Sequence, residues 1–237
     1  MCIVIIKKSM NPDFSFFLAM NRDEKYTKCW DEINNHWKSC PDIFGYRDHD
    51  SGGTWFAYNQ FLTAILINRE CYDFGHLYSR SKIVLIALQN AKDLNTALEN
   101  LLKEDTEYYK PFNIVILSNN KIAIATNYYN NKVNSRVNIT YLDDDLILIN
   151  RSFPNDLNEN RIKLNIEKFH FLKEPDPKEN FWSDWEQILT TECYAVSPED
   201  ENCLWLSSKD WGTLLSEIIA IHRNGKQVPI IHRVKVR

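Results

Sequence analysis

The sequence predicts an α+β fold in which antiparallel sheets are layered with helices. Short runs of β-branched and aromatic residues recur in pairs around polar breaks, and segments with helical spacing lie between and after these pairs. The 237 residues also include only 6 glycines. Because no glycine-rich phosphate loop is present, the sequence excludes the usual nucleotide-binding motifs.

Paired apolar runs predict four hairpins. They join residues 2–6 with 15–20, 54–58 with 61–67, 113–117 with 121–126, and 137–142 with 146–150. In the first hairpin the break centres on Asn11-Pro12, and antiparallel pairing about that centre places Cys2 opposite Asn21. In the second hairpin the same arithmetic returns Asn68 to the neighbourhood of residues 51–53.

Periodicity predicts four helices. They cover residues 81–89, 94–103, 158–171 and 183–191. Asp93 is the expected N-cap of the second helix. Ser183 and Glu186 have the spacing of a capping box at the start of the fourth.

The carboxyl-terminal segment fits two structures. Apolar residues at helical spacing run from Leu214 to Ile221 and favour a helix that stops at Asn224-Gly225. The same dipeptide is also a strong hairpin signal, and residues 234–237 alternate as in a strand. Spacing alone slightly favours the helix.

Composition narrows the class of protein. A net charge of −4, with 44% hydrophobic and 25% charged residues, is typical of a soluble globular protein and offers no basic field for nucleic acid. No apolar run is long enough to span a bilayer, and no signal peptide is present. We therefore expect one cytoplasmic domain over residues 1–237.

Neither a metal nor a cofactor is predicted. The six cysteines contain no CxxC pair, and the six histidines lack metal-ligand spacing. Five of the cysteines are expected to be buried small side chains.

The chemistry-bearing residues cluster at predicted strand ends. Cys2 begins the first strand, Asn21-Arg22-Asp23-Glu24 ends the second, and Gly53, Trp55 and Asn68 bracket the second hairpin. Removal of the initiator Met would make Cys2 the first residue, with both a thiol and an α-amino group. These groups titrate near about 8.5 and about 7.7–8.0, so the amine can accept the thiol proton.

Neighbouring residues suit this chemistry. Arg22 would favour the thiolate, Asp23 would orient Arg22 or accept from the α-ammonium, and Asn68 or Asn150 would donate to an oxyanion. The alternative interpretation is that Cys2 is a buried packing residue and that residues 21–24 form a solvated charged turn.

These residues together resemble the NRDE proteins, the transport and Golgi organisation protein 2 family. The resemblance rests on Met1-Cys2, Asn21-Arg22-Asp23-Glu24, Trp37, Gly45-x-Arg47-Asp48, Gly52-Gly53-Thr54-Trp55, Asn68, Ser79-Arg80, Phe112-Asn113 and Asn150. It extends through about residue 130 and is faint beyond residue 155.

The resemblance implies a four-layer αββα sandwich of the N-terminal-nucleophile hydrolase type. It implies a cysteine amidohydrolase with Cys2, Arg22, Asp23 and Asn150 as catalytic residues and Asn21, Gly53, Trp55 and Asn68 as substrate-binding residues. It also implies that residues 212–222 form a strand, against the helical spacing. We follow the resemblance on this point.

The resemblance leaves a second function open. Members of this family are associated with haem trafficking and with lipid or acyl-CoA metabolism, so the same cleft would hold an apolar ligand without catalysis. Leu214 stands where the family has an arginine, which weakens the catalytic prediction. The expected partner is accordingly a small-molecule substrate or an apolar ligand such as haem or an acyl-CoA.

Overall fold

The structure is a computed structural model that describes residues 2–69, 78–196, 200–223 and 228–237. Asn224-Gly225 lies outside these residues, as do Cys71 and His76, which are among the cysteines and histidines counted above. The described strands are β1 Ile3–Lys8, β2 Phe14–Lys25, β3 Trp30–Asn34, β4 Phe44–Asp48, β5 Phe56–Tyr58, β6 Leu62–Asn68, β7 Phe112–Ser118, β8 Lys121–Tyr129, β9 Lys132–Leu142, β10 Leu146–Ile149, β11 Glu192–Tyr194, β12 Trp205–Ser207, β13 Trp211–His222 and β14 Ile230–Val236.

The helices are short and fall close to the predicted positions. They are α1 Ile83–Leu88, preceded by a 3-10 turn over Arg80–Lys82, α2 Leu94–Lys103, α3 Asn160–Lys163, α4 Ile166–Phe171 and α5 Ser183–Leu189. The N-cap prediction is confirmed, because the Asp93 side chain accepts a hydrogen bond from the backbone N–H of Thr96 at 3.0 Å. The predicted helix over 158–171 is instead two helices, α3 and α4.

The capping-box prediction is wrong. The N-cap of α5 is Trp182, which makes no side-chain capping bond, and Ser183 is already inside the helix. Glu186 turns to another partner, since its Oε1 lies 2.6 Å from Nε2 of His232 on β14. A cross-element contact has replaced the local one that the spacing suggested.

The described chain divides into two compact units, each with one seven-stranded sheet. The first unit holds residues 2–28, 144–223 and 228–237, apart from the residues outside the described ranges. Its strand order is β10-β1-β2-β13-β12-β11, with β14 also paired to β13. Apolar side chains of β1, β2, β10 and β13 pack with α3, α4 and α5, including the buried Phe169 and Trp185.

The second unit holds residues 29–143 in strand order β3-β4-β5-β6-β7-β8-β9. Helices α1 and α2 contribute Ile83, Leu98 and Leu101 to a buried core with β6 and β7. The pairing of β5 with β6 continues as a bond from the N–H of Leu66 to the carbonyl of Trp55. Asn68 therefore ends β6 towards Gly53, as the hairpin arithmetic predicts.

The fourth predicted hairpin is wrong, although both of its strands exist. Strand β9 pairs with β8 in the second unit, whereas β10 pairs with β1 in the first. The intervening Asp143-Asp144-Asp145 is the connection between the two sheets rather than a hairpin turn. Strand propensity predicts each strand but carries no information about its partner.

The carboxyl-terminal ambiguity resolves as strands. β13 pairs with β2 along one edge and with β14 along the other, and a continuous run of its residues from Gly212 to Ala220 is buried. A strand with neighbours on both edges and both faces covered carries apolar residues at consecutive positions, so its spacing imitates a helix. The strand implied by the family resemblance is confirmed.

The prediction that the cysteines are packing residues fails for Cys29, which is exposed. Cys40, Cys193 and Cys203 are half-buried, and Cys40 packs against the core of the second unit. Cys29 and Cys40 lie in connections, and Cys193 lies on the edge strand β11. Their positions at edges and in loops leave them more solvent than a core cysteine has.

Candidate active site

Four chain segments meet where neighbouring strands of the first sheet begin or end. They are the start of β1, the end of β2, the start of β13 and the end of β10, which adjoin because these strands are antiparallel neighbours. Cys2 precedes β1 and Asn150 follows β10. The predicted meeting of Cys2 with the residues that end β2 is therefore confirmed within this unit.

The register of the first hairpin differs by one residue from the predicted one. Ile3, not Cys2, pairs with Asn21. The turn centres on Pro12, because the N–H of Ser9 bonds to the carbonyl of Ser15 and the N–H of Phe14 bonds to the carbonyl of Asn11. A one-residue shift exchanges the two faces of a strand, so Asn21 shares the face of Ile3 and Arg22 lies on the opposite face.

This shift gives Asn21 a structural position. The side chain is fully buried, and its Nδ2 donates to the carbonyls of Leu189 at 2.9 Å and Leu204 at 2.7 Å. Both carbonyls belong to residues of the helix-side core. Both amide hydrogens of Asn21 are thus used inside the protein, where the sequence predicted substrate binding.

The Cys2 thiol lies in an environment that favours its protonated form. Burial raises the pKa of Cys2 most, and the negative charge of Asp23 raises it further. The charges of Arg22 and the amino terminus lower this pKa, as does a hydrogen bond from the backbone N–H of Asp23. Arg22 thus lowers the pKa of Cys2 as the sequence predicts, but burial and Asp23 raise this pKa by more.

Asp23 is held from two sides. Its Oδ2 lies 2.5 Å from Nη1 of Arg161, and both side chains are fully buried. Its Oδ1 accepts a hydrogen bond of 2.6 Å from Oγ1 of Thr213, its partner on β13. The same Thr213 oxygen accepts the N–H of Leu206 at 2.8 Å. The carboxylate is therefore fixed in position before any substrate arrives.

Arg161 is the site residue that sequence reasoning missed. It lies on α3, and in addition to Asp23 its Nε donates to the carbonyl of Cys203 at 3.1 Å and its Nη2 to that of Leu204. It is separated from Asp23 by 138 residues. No motif or spacing in the short α3 distinguishes it from a surface arginine, so only the tertiary contact identifies it.

Asn150 presents an unused amide at these strand ends. The residue is fully buried, and neither its Nδ2 nor its Oδ1 has a hydrogen-bond partner among the described residues. Buried amides almost always find partners. The register of β1 with β10, in which Val4 faces Ile149, places Asn150 level with the residue that follows Cys2.

A charged network continues from Asn150. Arg151 Nε lies 2.7 Å from Oε2 of Glu159, and its Nη1 lies 3.7 Å from Oε1 of Glu201. Burial raises the pKa of Glu201, while the charges of Arg161 and Arg151 lower it. These ion pairs follow Asn150 in the chain, whereas Cys2 itself is half-buried.

The remaining predicted residues lie in the second unit. Gly53 has no room for a side chain, because a Cβ there would lie 2.5 Å from the carbonyl oxygen of Ser81. Trp55 is buried and stacks on Tyr46 with ring centroids 5.0 Å apart. Asn68 is half-buried at the end of β6. Within this unit Gly53 and Trp55 have evident packing roles.

Leu214 occupies an irregularity of β13. The pairing with β2 shifts between Thr213 and Leu215, and Leu214 is buried there with 3% exposure. Its carbonyl accepts the N–H of Arg237 at 2.9 Å. An aliphatic side chain therefore fills a position where the resemblance implies a cation.

Two further features bear on function classes. Among the described residues no helix is long and apolar enough to cross a membrane. In the same part of the chain no group of three or more His, Cys, Asp or Glu side chains is arranged to hold a metal ion.

The fold is of the α+β class and is shared with solved N-terminal-nucleophile hydrolases, whose own fold is an αββα sandwich. The chain is similar to a Caenorhabditis elegans ortholog of N-acylethanolamine-hydrolyzing acid amidase, with TM-score 0.58, 12% identity and 92% of each chain covered. It is also similar to two variants of conjugated bile acid hydrolase from Clostridium perfringens, with TM-scores 0.50 and 0.52 and identities of 10% and 12%. In both cases 100% of this chain and 97% of the other are covered.

The family is shown by sequence. Residues 1–219 match the family model described as Transport and Golgi organisation 2, and the chain belongs to that family. No curated protein matches the chain.

Proposed function

We propose that this protein is an N-terminal cysteine hydrolase that cleaves an amide or related acyl bond, with Cys2 as the nucleophile. The observation that carries the proposal is the unpartnered buried amide of Asn150, which follows β10 at the strand ends where Cys2 precedes β1 and where Arg22 and Asp23 end β2. An amide donor near a nucleophile is what a developing oxyanion requires. The shared fold with an acid amidase supports the same reaction class.

The proposed reaction balances with groups of this chain and water. Once Met1 is removed, the α-amino group of Cys2 takes the thiol proton, and the sulfur attacks the substrate carbonyl while Asn150 Nδ2 donates to the oxyanion. The ammonium returns the proton to the leaving nitrogen as the C–N bond breaks. Water then attacks the thioester carbonyl, and the thiol is restored as the acid product leaves.

Removal of Met1 and selective reactivity of Cys2 test this proposal together. We expect intact-mass analysis of protein from its native host to show the chain without Met1, and iodoacetamide to label Cys2 faster than the other cysteines once the α-amine is free. Cys193→Ser is the matched control and should leave the labelling of Cys2 unchanged. Retained Met1, combined with a Cys2 no faster than the other thiols, would contradict the mechanism.

A second candidate function is a carrier of an apolar ligand such as haem or an acyl-CoA. The buried Leu214, which puts an aliphatic side chain where the family resemblance implies an arginine, favours it. We expect binding in a spectral haem titration or an acyl-CoA assay to survive Cys2→Ser if this function holds, because a carrier needs no nucleophile. Absence of binding in both assays would eliminate it.

A further inference from the structure

The Asp23 and Arg161 pair is the strongest feature that the proposed reaction does not use. Arg161 donates hydrogen bonds from Nε, Nη1 and Nη2 to groups inside the protein. They go to the carbonyl of Cys203, to Asp23 and to the carbonyl of Leu204. Arg161 therefore ties α3 and the segment before β12 to the end of β2. Neither side chain is exposed, so the pair is shielded from solvent and from screening by salt.

A buried carboxylate keeps its charge only when it is paired and hydrogen-bonded. Arg161 supplies the opposite charge and Thr213 supplies the second hydrogen bond. Cys2 precedes Ile3, which pairs with Asn21, so the fixed carboxylate of Asp23 lies at the end of β2 that adjoins Cys2. Its negative charge raises the pKa of the Cys2 thiol. The chain of contacts therefore runs from Arg161 through Asp23 to the proposed nucleophile.

We propose that Arg161 is a positioning residue for Cys2, whose ion pair with Asp23 fixes a negative charge beside the thiol and keeps the sulfur protonated until a proton acceptor takes the proton. This inference rests on the proposed role of Cys2 as nucleophile. The thiol is therefore reactive only when a base is nearby, and removal of Met1 supplies that base as the α-amino group of Cys2.

Several charged and titratable groups act on this pair and on Cys2. The pKa of the Cys2 thiol depends on the charges of Asp23, the amino terminus and Arg22. Glu201, which interacts electrostatically with Arg161, Arg151 and Asp23, is the other acidic group of the network near Asp23. None of the variants below changes Arg22, Arg151 or Glu201, so their contributions stay in place.

The experiment measures the rate of Cys2 alkylation by iodoacetamide against pH, with Cys2 resolved from the other cysteines by peptide mass mapping. Asp23→Asn removes the negative charge beside the thiol. We therefore expect the midpoint of the profile of alkylation rate against pH to lie at lower pH, with faster alkylation at neutral pH. In Arg161→Met the buried carboxylate loses its partner and is neutralised, so the midpoint should move in the same direction. Arg161→Lys keeps the charge and should restore a midpoint close to the wild-type value.

If Arg161→Met does not fold, Arg161→Gln takes its place, because the amide can still donate to the backbone carbonyls while the charge is gone. Its midpoint should also lie below that of the wild type. The neutral double variant Asp23→Asn with Arg161→Met should have the midpoint of Asp23→Asn, because Arg161 acts through Asp23. A purely structural Arg161 would change stability and leave the midpoint of Arg161→Met or Arg161→Gln at the wild-type value, which overturns the proposal. An unchanged midpoint in Asp23→Asn overturns it as well.

Failure of the proposed function gives a different result. Alkylation requires no substrate, so a protein without amidase activity still reports whether Arg161 acts on Cys2. If the wild type cleaves no N-acyl amide while the midpoints shift as expected, the hydrolase proposal fails and the positioning of the thiol stands. If hydrolysis occurs and the midpoints do not move, only the role of Arg161 fails.

Discussion

Replacement of Asn150 by alanine is expected to lower kcat by about 10²–10³-fold, the usual effect of losing one oxyanion donor. The structural reason is that the amide of Asn150 is buried and makes no hydrogen bond within the described chain. Its donors are therefore available for a charge that appears only during the reaction. The measurement is the steady-state hydrolysis of fluorogenic N-acyl-aminocoumarin amides by the full-length protein.

Stability provides the control for Asn150→Ala. A structural asparagine would lose hydrogen bonds on substitution, whereas removal of an unpartnered buried amide should leave the free energy of unfolding unchanged or raise it. Alkylation of Cys2 should proceed as in the wild type, because the thiol and its neighbours are intact. A large loss of stability with unchanged kcat would show that Asn150 is a framework residue.

Phe169→Ala is expected to destabilise the protein by about 3–5 kcal/mol. Phe169 is fully buried on α4, and its ring packs edge-to-face against Trp185 with centroids 5.1 Å apart. Truncation removes this contact and leaves a cavity between the helices and the sheet that carries the site. Urea unfolding followed by Trp fluorescence measures the change.

Phe171→Ala is the matched control, because it removes the same side chain from the same helix. Phe171 is 90% exposed, so its loss should change the free energy of unfolding by no more than about 0.5 kcal/mol. Equal effects of the two substitutions would mean that α4 does not pack on the sheet as the structure has it.

The sequence predicts strands and helices well where the evidence is local. Helix α2 has the predicted bounds, and its cap forms because Asp93 and Thr96 are near neighbours. The sequence predicts less well which strands pair with each other. Runs 137–142 and 146–150 look like a hairpin, yet β9 and β10 belong to different sheets.

In the candidate site too, contacts between residues close in sequence can be predicted and contacts between distant residues cannot. Cys2 and residues 21–24 come together because one hairpin joins them, and hairpin pairing can be read from the chain. Arg161 reaches Asp23 across 138 residues, and nothing in its own segment signals the contact. The sequence predicts Asn21 as a substrate-binding residue, and the register places it on the face of Ile3, where its Nδ2 donates to two backbone carbonyls.

The sequence by itself determined the fold class, the strands near Cys2 and the residues that a nucleophilic site requires, because these depend on local periodicity, on turn chemistry and on a motif with family resemblance. The tertiary structure alone decided the register of β1 with β2, the conformation of β13 and the pairing of Arg161 with Asp23. These depend on which surfaces bury one another. A buried charge needs a partner wherever in the chain that partner lies.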